Sequence, residues 1–235
     1  MYTSHYRFPR WFDPQAMLIR FTQWYCSVRA DGLEHLPPTG AFILASNHSS
    51  HADTAVIFVA LPPNRRRTVV VAAARDYFFT SRGRQFASRS LFNAVPLDRE
   101  ASLHAGPLRH ASRALREGYG LLIYPEGTRG MTGAVGKFRG GLGLLMARHP
   151  GVPVVPVAVD GTDTVMPKKS LFPRRHPVRV RFGAPLHDLG ALEHDVASMR
   201  RAVEEVRGAV VGLKHALEEE RASAQAPRRS HGTLL

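Results

Sequence analysis

Cysteine and long apolar runs are what this sequence most clearly lacks. With Cys26 as its single cysteine, the chain cannot form an internal disulfide, and nothing points to an oxidising compartment. The longest apolar runs, around residues 55–63, 68–74 and 152–159, fall far short of the roughly 20 residues of a membrane-spanning helix. The opening MYTSHYRFPRWF has no apolar segment with a small-residue cleavage site. We therefore expect a protein of cytosolic origin without a spanning helix.

Acidic residues are also scarce, because 19 Asp and Glu face 32 Lys and Arg and leave a net charge of +13. Such an excess attracts polyanions, and the candidates are anionic lipid surfaces, nucleic acid and acidic carrier proteins. The sequence has no basic run interleaved with aromatic residues and no nucleic-acid motif, so we expect no nucleic-acid partner. Arginine outnumbers lysine, which suits bidentate phosphate binding, although a GC-rich genome gives the same bias.

The N-terminal 30 residues are rich in aromatic residues and arginine. Between residues 14 and 29, apolar side chains recur at spacings of three and four, which predicts an amphipathic helix. They are Met17, Leu18, Phe21, Trp24, Tyr25 and Val28. Aromatic residues on such a helix suit a membrane interface, but the same stripe could dock on its own domain, and the two roles are compatible. We assign residues 1–30 to a membrane-associating helical segment.

Residues 31–186 alternate between short β-type runs and helical stretches, which predicts an α/β domain with a mainly parallel or mixed sheet flanked by helices. Strands are predicted at 41–46, 68–73, 94–97, 121–124, 152–159 and 178–182, and helices near 53–60, 81–91, 102–117 and 139–149. Pro153 and Pro156 inside one apolar run favour an edge or irregular strand there.

The C-terminal part, from residue 187 to residue 221, has apolar residues at alternating spacings of three and four and predicts one long amphipathic helix. Packing on the domain and pairing with a second chain both explain this pattern, and we favour packing. Residues 222–235 are polar and are predicted to be disordered.

The first group of chemically useful residues follows the strand at 41–46 and reads Ser46-Asn47-His48-Ser49-Ser50-His51-Ala52-Asp53. An imidazole can take a proton from a hydroxyl near neutral pH, and it does so better when a carboxylate holds one tautomer. His48 and Asp53 are five residues apart, and a tight loop between strand and helix would bring them together. The spacing alone is a weak pattern, since twelve histidines make chance matches common.

The second group follows the strand at 121–124 and reads Tyr124-Pro125-Glu126-Gly127-Thr128-Arg129-Gly130. A glycine-bearing turn after a strand exposes backbone N–H groups beside a hydroxyl and a guanidinium, and this combination suits a phosphate. Arg99, at the end of Val95-Pro96-Leu97-Asp98-Arg99, offers a second cation.

Together with the apolar run VPVVPVAVDGT, these blocks resemble the glycerolipid acyltransferase family, and the match spans roughly residues 32–162. SNHSSHAD is similar to that family's N-H-x-x-x-x-D block, and YPEGTRG is similar to its F-P-E-G-T-R-S block. The resemblance implies that His48 is the general base and Asp53 its orienting partner. It implies substrate binding by Asn47, Arg75, Arg99, Glu126, Gly127, Thr128 and Arg129. The chain departs from the pattern because no glycine precedes Arg99, Gly130 replaces a serine and Tyr124 replaces a phenylalanine.

The function implied by the resemblance is transfer of a fatty acyl group from acyl-CoA or acyl-carrier protein to the free hydroxyl of lysophosphatidic acid. No cofactor or metal is expected, and the absence of a G-x-S-x-G motif fits direct transfer without an acyl-enzyme. We expect a peripheral protein on the cytoplasmic face of an anionic membrane. Glycerol 3-phosphate, lyso-ornithine lipid or another lysolipid remain alternative acceptors, and a non-catalytic basic membrane-binding protein is the alternative of a different class.

Overall fold

The computed structural model describes residues 13–97, 106, 108–130, 133–167, 173–187 and 195–225. Its strands are β1 (Arg29–Asp31), β2 (Phe42–Ser46), β3 (Val69–Ala74), β4 (Ala94–Leu97), β5 (Gly120–Ile123), β6 (Val154–Asp160) and β7 (Arg179–Phe182). Its α-helices are α1 (Pro14–Cys26), α2 (Asp53–Ala60), α3 (Pro63–Arg66), α4 (Arg75–Phe78), α5 (Arg82–Phe92), α6 (Arg109–Arg116), α7 (Gly141–Arg148), α8 (Thr162–Val165) and α9 (Val196–Gln225). A short 3-10 helix covers Leu33–His35.

The seven described strands form one sheet in the order β1-β7-β6-β2-β5-β3-β4. Each neighbouring pair is parallel except β6 and β7, which run antiparallel. The fold is therefore α/β with a mixed, mainly parallel sheet flanked by helices, and the prediction of the fold class is confirmed.

The central strands have apolar residues on both faces because helices cover both sides of the sheet. Every residue of β2 is buried, and its side chains alternate between two cores. Phe42 and Leu44 pack with residues of α2 in one core, whereas Ile43 and Ala45 pack with residues of α7 and α9 in the other. An uninterrupted apolar run is thus what a strand in the middle of this sheet requires.

The prediction of an edge strand at residues 152–159 is wrong, because β6 lies inside the sheet between β7 and β2. The alternative prediction of an irregular strand agrees with a break in the pairing with β7 at Pro156. Pro156 is tolerated because its backbone nitrogen faces β7 and not β2. Val154 exchanges hydrogen bonds with Leu186, and Pro156 O accepts one from Gly183 N, so alternate residues of β6 face β7. The pairing with β7 begins only at Val157, so the missing N–H of Pro156 falls where that ladder is interrupted.

Helix α1 is shorter than the sequence suggests, since it ends at Cys26 and not near Arg29. Asp13 caps its start by accepting a hydrogen bond from the N–H of Ala16, and Ser27 ends it in the left-handed conformation with φ of 45°. Arg29 already belongs to β1, so the N-terminal segment predicted to reach residue 30 includes part of the edge strand. Residues 1–12 lie outside the described part of the chain.

Helix α9 begins after Asp195, whose carboxylate accepts hydrogen bonds from the N–H groups of Ala197 and Ser198. Its apolar side packs against α7 and β6, in agreement with packing on the domain. The helix continues to Gln225, so the predicted disorder is wrong for residues 222–225, and the rest of that tail lies outside the described residues. Across the ranges given above, no helix is both long and apolar enough to cross a bilayer.

Candidate active site

The two sequence motifs follow neighbouring strands of the sheet. Ser46 ends β2 and Ile123 ends β5, and the two strands pair in parallel with Leu44 opposite Leu122. Because the carboxyl ends of parallel strands lie at the same edge of a sheet, residues 47–53 and 124–130 meet there. Strand β6 pairs in parallel with the other side of β2 and ends at that same edge.

His48 and Asp53 form a hydrogen-bonded pair, with 2.8 Å between His48 Nδ1 and Asp53 Oδ2. The Asp53 side chain is fully buried, and Oδ2 also accepts hydrogen bonds from the N–H groups of Ser49 and Ser50 at 2.8 and 2.9 Å. Asp53 is the first residue of α2, where the helix dipole favours a negative charge. An ionised carboxylate can only accept, so the proton between the two side chains belongs to Nδ1 and leaves Nε2 as a proton acceptor.

The imidazole of His48 is fixed from a second direction by Tyr124. The two rings stack with 4.1 Å between their centroids and 20° between their planes. The Tyr124 hydroxyl lies 2.9 Å from Thr54 Oγ1, which anchors the phenol. Burial, together with the negative charge of Asp53, raises the pKa of Tyr124 well above its usual value, so the phenol stays neutral. His48 therefore keeps one ring orientation while its side chain remains 20% exposed.

Glu126 joins the two motifs through backbone groups. Its Oε1 accepts a hydrogen bond of 2.8 Å from His48 N, and its Oε2 accepts one of 2.9 Å from Gly136 N. In return, Gly130 N donates to His48 O over 2.8 Å. Burial raises the pKa of the Glu126 carboxyl, although the two N–H donors act in the opposite direction. Both peptide groups of His48 are thus held by the loop after β5.

The turn at Gly127 needs a residue without a side chain. Its φ is +72°, and an added Cβ would lie 2.6 Å from Nε of Arg139, whose side chain packs over the turn. Arg139 Nε also donates a hydrogen bond to Glu126 O at 3.2 Å. This packing keeps the backbone of residues 126–128 in place beside His48.

A cleft of about 770 Å³ opens at this edge of the sheet. One group of its lining residues is apolar and comes from β3, α4, α5 and β4: Val71, Ala72, Ala73, Ala74, Phe78, Phe92, Ala94 and Leu97. The other group is polar and comes from the loops after β2 and β5 and from α2: His48, His51, Thr54, Thr128 and Arg129. The space therefore offers a long apolar wall next to an imidazole and a guanidinium.

His51 also lines this cleft, where its ring stacks with that of Tyr77 at a centroid distance of 5.9 Å. Burial lowers the pKa of His51, and the positive charge of Arg129 adds to the effect. The ring is consequently neutral at physiological pH, and the positive charge among the residues that line the cleft comes from Arg129.

The structure separates the predicted substrate-binding residues into two groups. Gly127, Thr128 and Arg129 line the cleft. Asn47 does not, because it is 2% exposed and its amide bonds both the N–H and the C=O of Val159, which clamps β2 to β6. We correct its assignment to that of a structural clamp.

The assignment of Glu126 is corrected to a structural role in the same way. The residue is only 7% exposed, and both carboxylate oxygens accept hydrogen bonds from backbone N–H groups. Arg75 is exposed at the start of α4 and is not among the residues that line the cleft. Arg99 lies outside the described residues, so its role stays a prediction.

Sequence reasoning missed two residues of the site. Tyr124 was noted only as a replacement for phenylalanine, yet its ring covers the imidazole of His48. Thr162 received no role, yet its Oγ1 lies 2.5 Å from Asp53 Oδ1. The only hint in the sequence was its place at the end of VPVVPVAVDGT, directly after a strand and a glycine.

Comparison with known proteins identifies the family of this chain. The profile of the acyltransferase family matches residues 27–160. The chloroplastic 1-acyl-sn-glycerol-3-phosphate acyltransferase of Arabidopsis thaliana is 28% identical over 172 residues, covering 69% of this chain and 44% of the relative. The chloroplastic enzyme of the same name from Brassica napus is 30% identical over 165 residues, covering 66% of this chain and 44% of the relative. The chain thus spans less than half the length of these two relatives.

A solved structure resembles most of the fold. It is the crystal structure of the 1-acyl-sn-glycerophosphate acyltransferase PlsC from Thermotoga maritima. The TM-score is 0.67 with 27% sequence identity, and the similarity covers 88% of this chain and 80% of the other.

Proposed function

Because this chain belongs to the acyltransferase family, we propose that it transfers a fatty acyl group from acyl-CoA or acyl-carrier protein to the free hydroxyl of lysophosphatidic acid. The products are phosphatidic acid and the free thiol of the carrier. The observation that supports this most directly is the imidazole of His48, paired with Asp53 at 2.8 Å and exposed to the cleft that also contains Arg129.

In the reaction, the acceptor hydroxyl gives its proton to His48 Nε2 while its oxygen attacks the thioester carbonyl carbon. The buried carboxylate of Asp53 stabilises the imidazolium that forms, since it already accepts the Nδ1 proton. The tetrahedral intermediate then expels the thiolate, which takes the proton back from Nε2. No covalent acyl-enzyme is needed, and the imidazole ends in its starting state.

The acceptor fits the cleft in two parts. Thr128 and Arg129, with the backbone of the turn at Gly127, offer a hydroxyl and a planar cation to a phosphomonoester. The apolar wall from β3, α5 and β4 suits the hydrocarbon of a lysolipid or of the donor. Both substrates are thereby held with their reacting ends near the same imidazole, which supports lysophosphatidic acid over an acceptor without a phosphate or without an acyl chain.

The place of action we propose is the cytoplasmic face of an anionic membrane, with α1 as the contact. One side of α1 packs on α2 and α5, and Gln15 Nε2 donates to Leu91 O at 3.0 Å. On the other side Met17, Phe21 and Trp24 are 59%, 52% and 62% exposed. Large apolar side chains grouped on one helix face are typical of an interfacial helix, and the net charge of +13 favours anionic lipid.

The substrate assignment is tested by measuring thiol release and lipid product with acyl-CoA and acyl-carrier protein, each crossed with four acceptors. The acceptors are lysophosphatidic acid, glycerol 3-phosphate, lyso-ornithine lipid and a lysophosphatidylcholine. We expect the highest kcat/KM with lysophosphatidic acid. If another acceptor is turned over and lysophosphatidic acid is not, the acceptor assignment is wrong although acyl transfer stands.

Catalysis itself is tested with His48→Ala. Loss of a general base typically lowers the rate by about 10² to 10⁴, while the fold should remain because the backbone of His48 makes the contacts to residues 126 and 130. His215→Ala, on the exposed surface of α9, serves as the matched control and should keep full activity. Turnover of His48→Ala equal to that of His215→Ala would overturn the role given to His48. No turnover by the wild type or by either variant would favour a non-catalytic membrane-binding protein.

The membrane contact is tested by substitution, because deleting residues 1–30 would also remove residues of β1. Phe21→Ser together with Trp24→Ser should weaken binding to phosphatidylglycerol vesicles about 30-fold, since two exposed aromatic side chains contribute on the order of 1 kcal/mol each and about 1.4 kcal/mol corresponds to a factor of ten. Val196→Ser, which removes an apolar side chain of 57% exposure from α9, is the control. Unchanged vesicle binding by the double variant would rule out α1 as the contact.

A further inference from the structure

The carboxylate of Asp53 is held by two different sets of donors. Its Oδ2 faces His48 Nδ1 and the N–H groups of Ser49 and Ser50. Its Oδ1 receives one hydrogen bond, from Thr162 Oγ1 at 2.5 Å, and this is the sole donor to Oδ1 within the described part of the chain. Rotation of the carboxylate about its own axis would break the Thr162 bond and move Oδ2 away from the imidazole.

Thr162 occupies a position that the backbone fixes tightly. Strand β6 ends at Asp160, and Gly161 turns the chain with φ of 92°. A Cβ on Gly161 would lie 2.6 Å from Pro177 O, so only glycine fits the turn. Thr162 then begins α8 and is completely buried. A second contact joins the same elements, because Ser50 Oγ donates to Met166 O at 3.1 Å.

The end of β6 is anchored from the far side by α9. Asp160 is 3% exposed, and its carboxylate lies 2.5 Å from Lys214 Nζ and 3.1 Å from Arg221 Nη1. Lys214 is itself 4% exposed, so this ion pair is shielded from solvent. The amide of Asn47 ties the neighbouring residue, Val159, to the loop that bears His48. The backbone from which Thr162 projects is therefore fixed on both sides.

We propose that Thr162 is a positioning residue of the catalytic pair, which orients Asp53 so that its other oxygen holds the Nδ1 proton of His48. The hydroxyl donates to the ionised carboxylate, and a charge-assisted bond of this kind is about twice as strong as a neutral one. Thr162 is completely buried and is not among the residues that line the cleft, so it acts through Asp53. The kinetic part of this inference rests on the proposed acyl transfer, whereas the orientation of the pair does not.

The experiment compares Thr162→Val, which removes the hydroxyl and keeps the shape, with Thr162→Ser, which keeps the hydroxyl. Thr68→Val is the matched control. Thr68 Oγ1 also donates a hydrogen bond, of 2.9 Å, to Arg65 O, and Thr68 lies away from the cleft. We expect Thr162→Val to lower kcat about 10- to 100-fold with KM changed less than twofold, while Thr162→Ser stays within about threefold of the wild type. Thr68→Val should keep full activity.

A second measurement needs no substrate. The ¹⁵N resonances of the imidazole, assigned by comparison with His48→Ala, report which ring nitrogen carries the proton. We expect the Nδ1–H tautomer of His48 in the wild type and in Thr162→Ser, and a mixture of tautomers in Thr162→Val. Equal kcat and equal tautomers in Thr162→Val and the wild type would overturn the inference, as would a Thr162→Ser variant as impaired as Thr162→Val. If the wild type transfers no acyl group, the proposed function fails while the tautomer comparison still decides the role of Thr162.

Discussion

Asp53→Asn is the substitution that tests the catalytic pair most directly, because asparagine has the shape of aspartate without its charge. Its carbonyl oxygen can take the place of Oδ2 and accept from His48 Nδ1, Ser49 N and Ser50 N. Its amide group then faces Thr162 Oγ1, whose hydroxyl can turn and accept. The geometry of the loop is therefore expected to survive the change.

The magnitude follows from the change in charge. Each hydrogen bond to residue 53 changes from charge-assisted to neutral, which lowers its contribution to stability by on the order of 1 kcal/mol. Part of this loss is offset, because the folded protein no longer has to desolvate a buried charge. We expect a net loss of stability below about 2 kcal/mol. Catalysis should lose more, since the imidazolium has no negative partner, and in a Ser-His-Asp triad the same substitution lowers kcat about 10⁴-fold. At about 1.4 kcal/mol for each factor of ten, even a 10³-fold loss corresponds to about 4 kcal/mol of transition-state stabilisation.

The assay is the initial rate of thiol release at saturating donor and acceptor, with thermal unfolding measured on the same samples. Asp163→Asn, which removes an exposed carboxylate from α8, is the control for net charge and should behave as the wild type. A folded Asp53→Asn protein with kcat within tenfold of the wild type would refute the role given to the carboxylate.

Two further predictions concern the support of the site. Gly127→Ala should destabilise the protein by about 1–2 kcal/mol, because alanine is strained at φ of +72° and its Cβ would clash with Arg139. The KM for the acceptor should rise as well, because the turn has to shift. An unchanged melting temperature and an unchanged KM would contradict this prediction. Lys214→Met should lower the free energy of unfolding by about 3 kcal/mol, because Asp160 loses its buried partner. Adding Asp160→Asn to the same chain should restore part of this free energy, as measured by urea unfolding. No recovery would show that the packing of Lys214 matters more than its charge.

The sequence predicts much of the fold because its strands and helices have clear patterns. The fully buried strand β2 and the helix α2 were predicted to within a residue, since an apolar run and an acidic first turn mark them. The edge position predicted for β6 was wrong because the tolerance of Pro156 depends on where β7 begins to pair, and the local sequence does not contain this information.

Within the site, the sequence predicts the residues but not always their roles. His48 and Asp53 are close in sequence, and the structure pairs them. Asn47 and Glu126 stand in the same motifs, yet both serve backbone groups supplied by distant segments, such as Val159 and Gly136. Polar side chains in a motif can bind a ligand or hold the loop, and only the three-dimensional contacts separate the two.

The topology of the sheet also bears on how a smaller version of this protein could be made. The family profile stops at residue 160, but β1 is an edge strand whose neighbour in the sheet, β7, comes later in the chain at Arg179–Phe182. Helix α9, later still, covers one side of β6 and fastens the 133–139 loop, since Arg207 Nε donates to Gly136 O at 2.9 Å. A fragment cut at the profile boundary would leave β1 unpaired and expose the core beneath α9, so the autonomous folding unit extends at least through that helix.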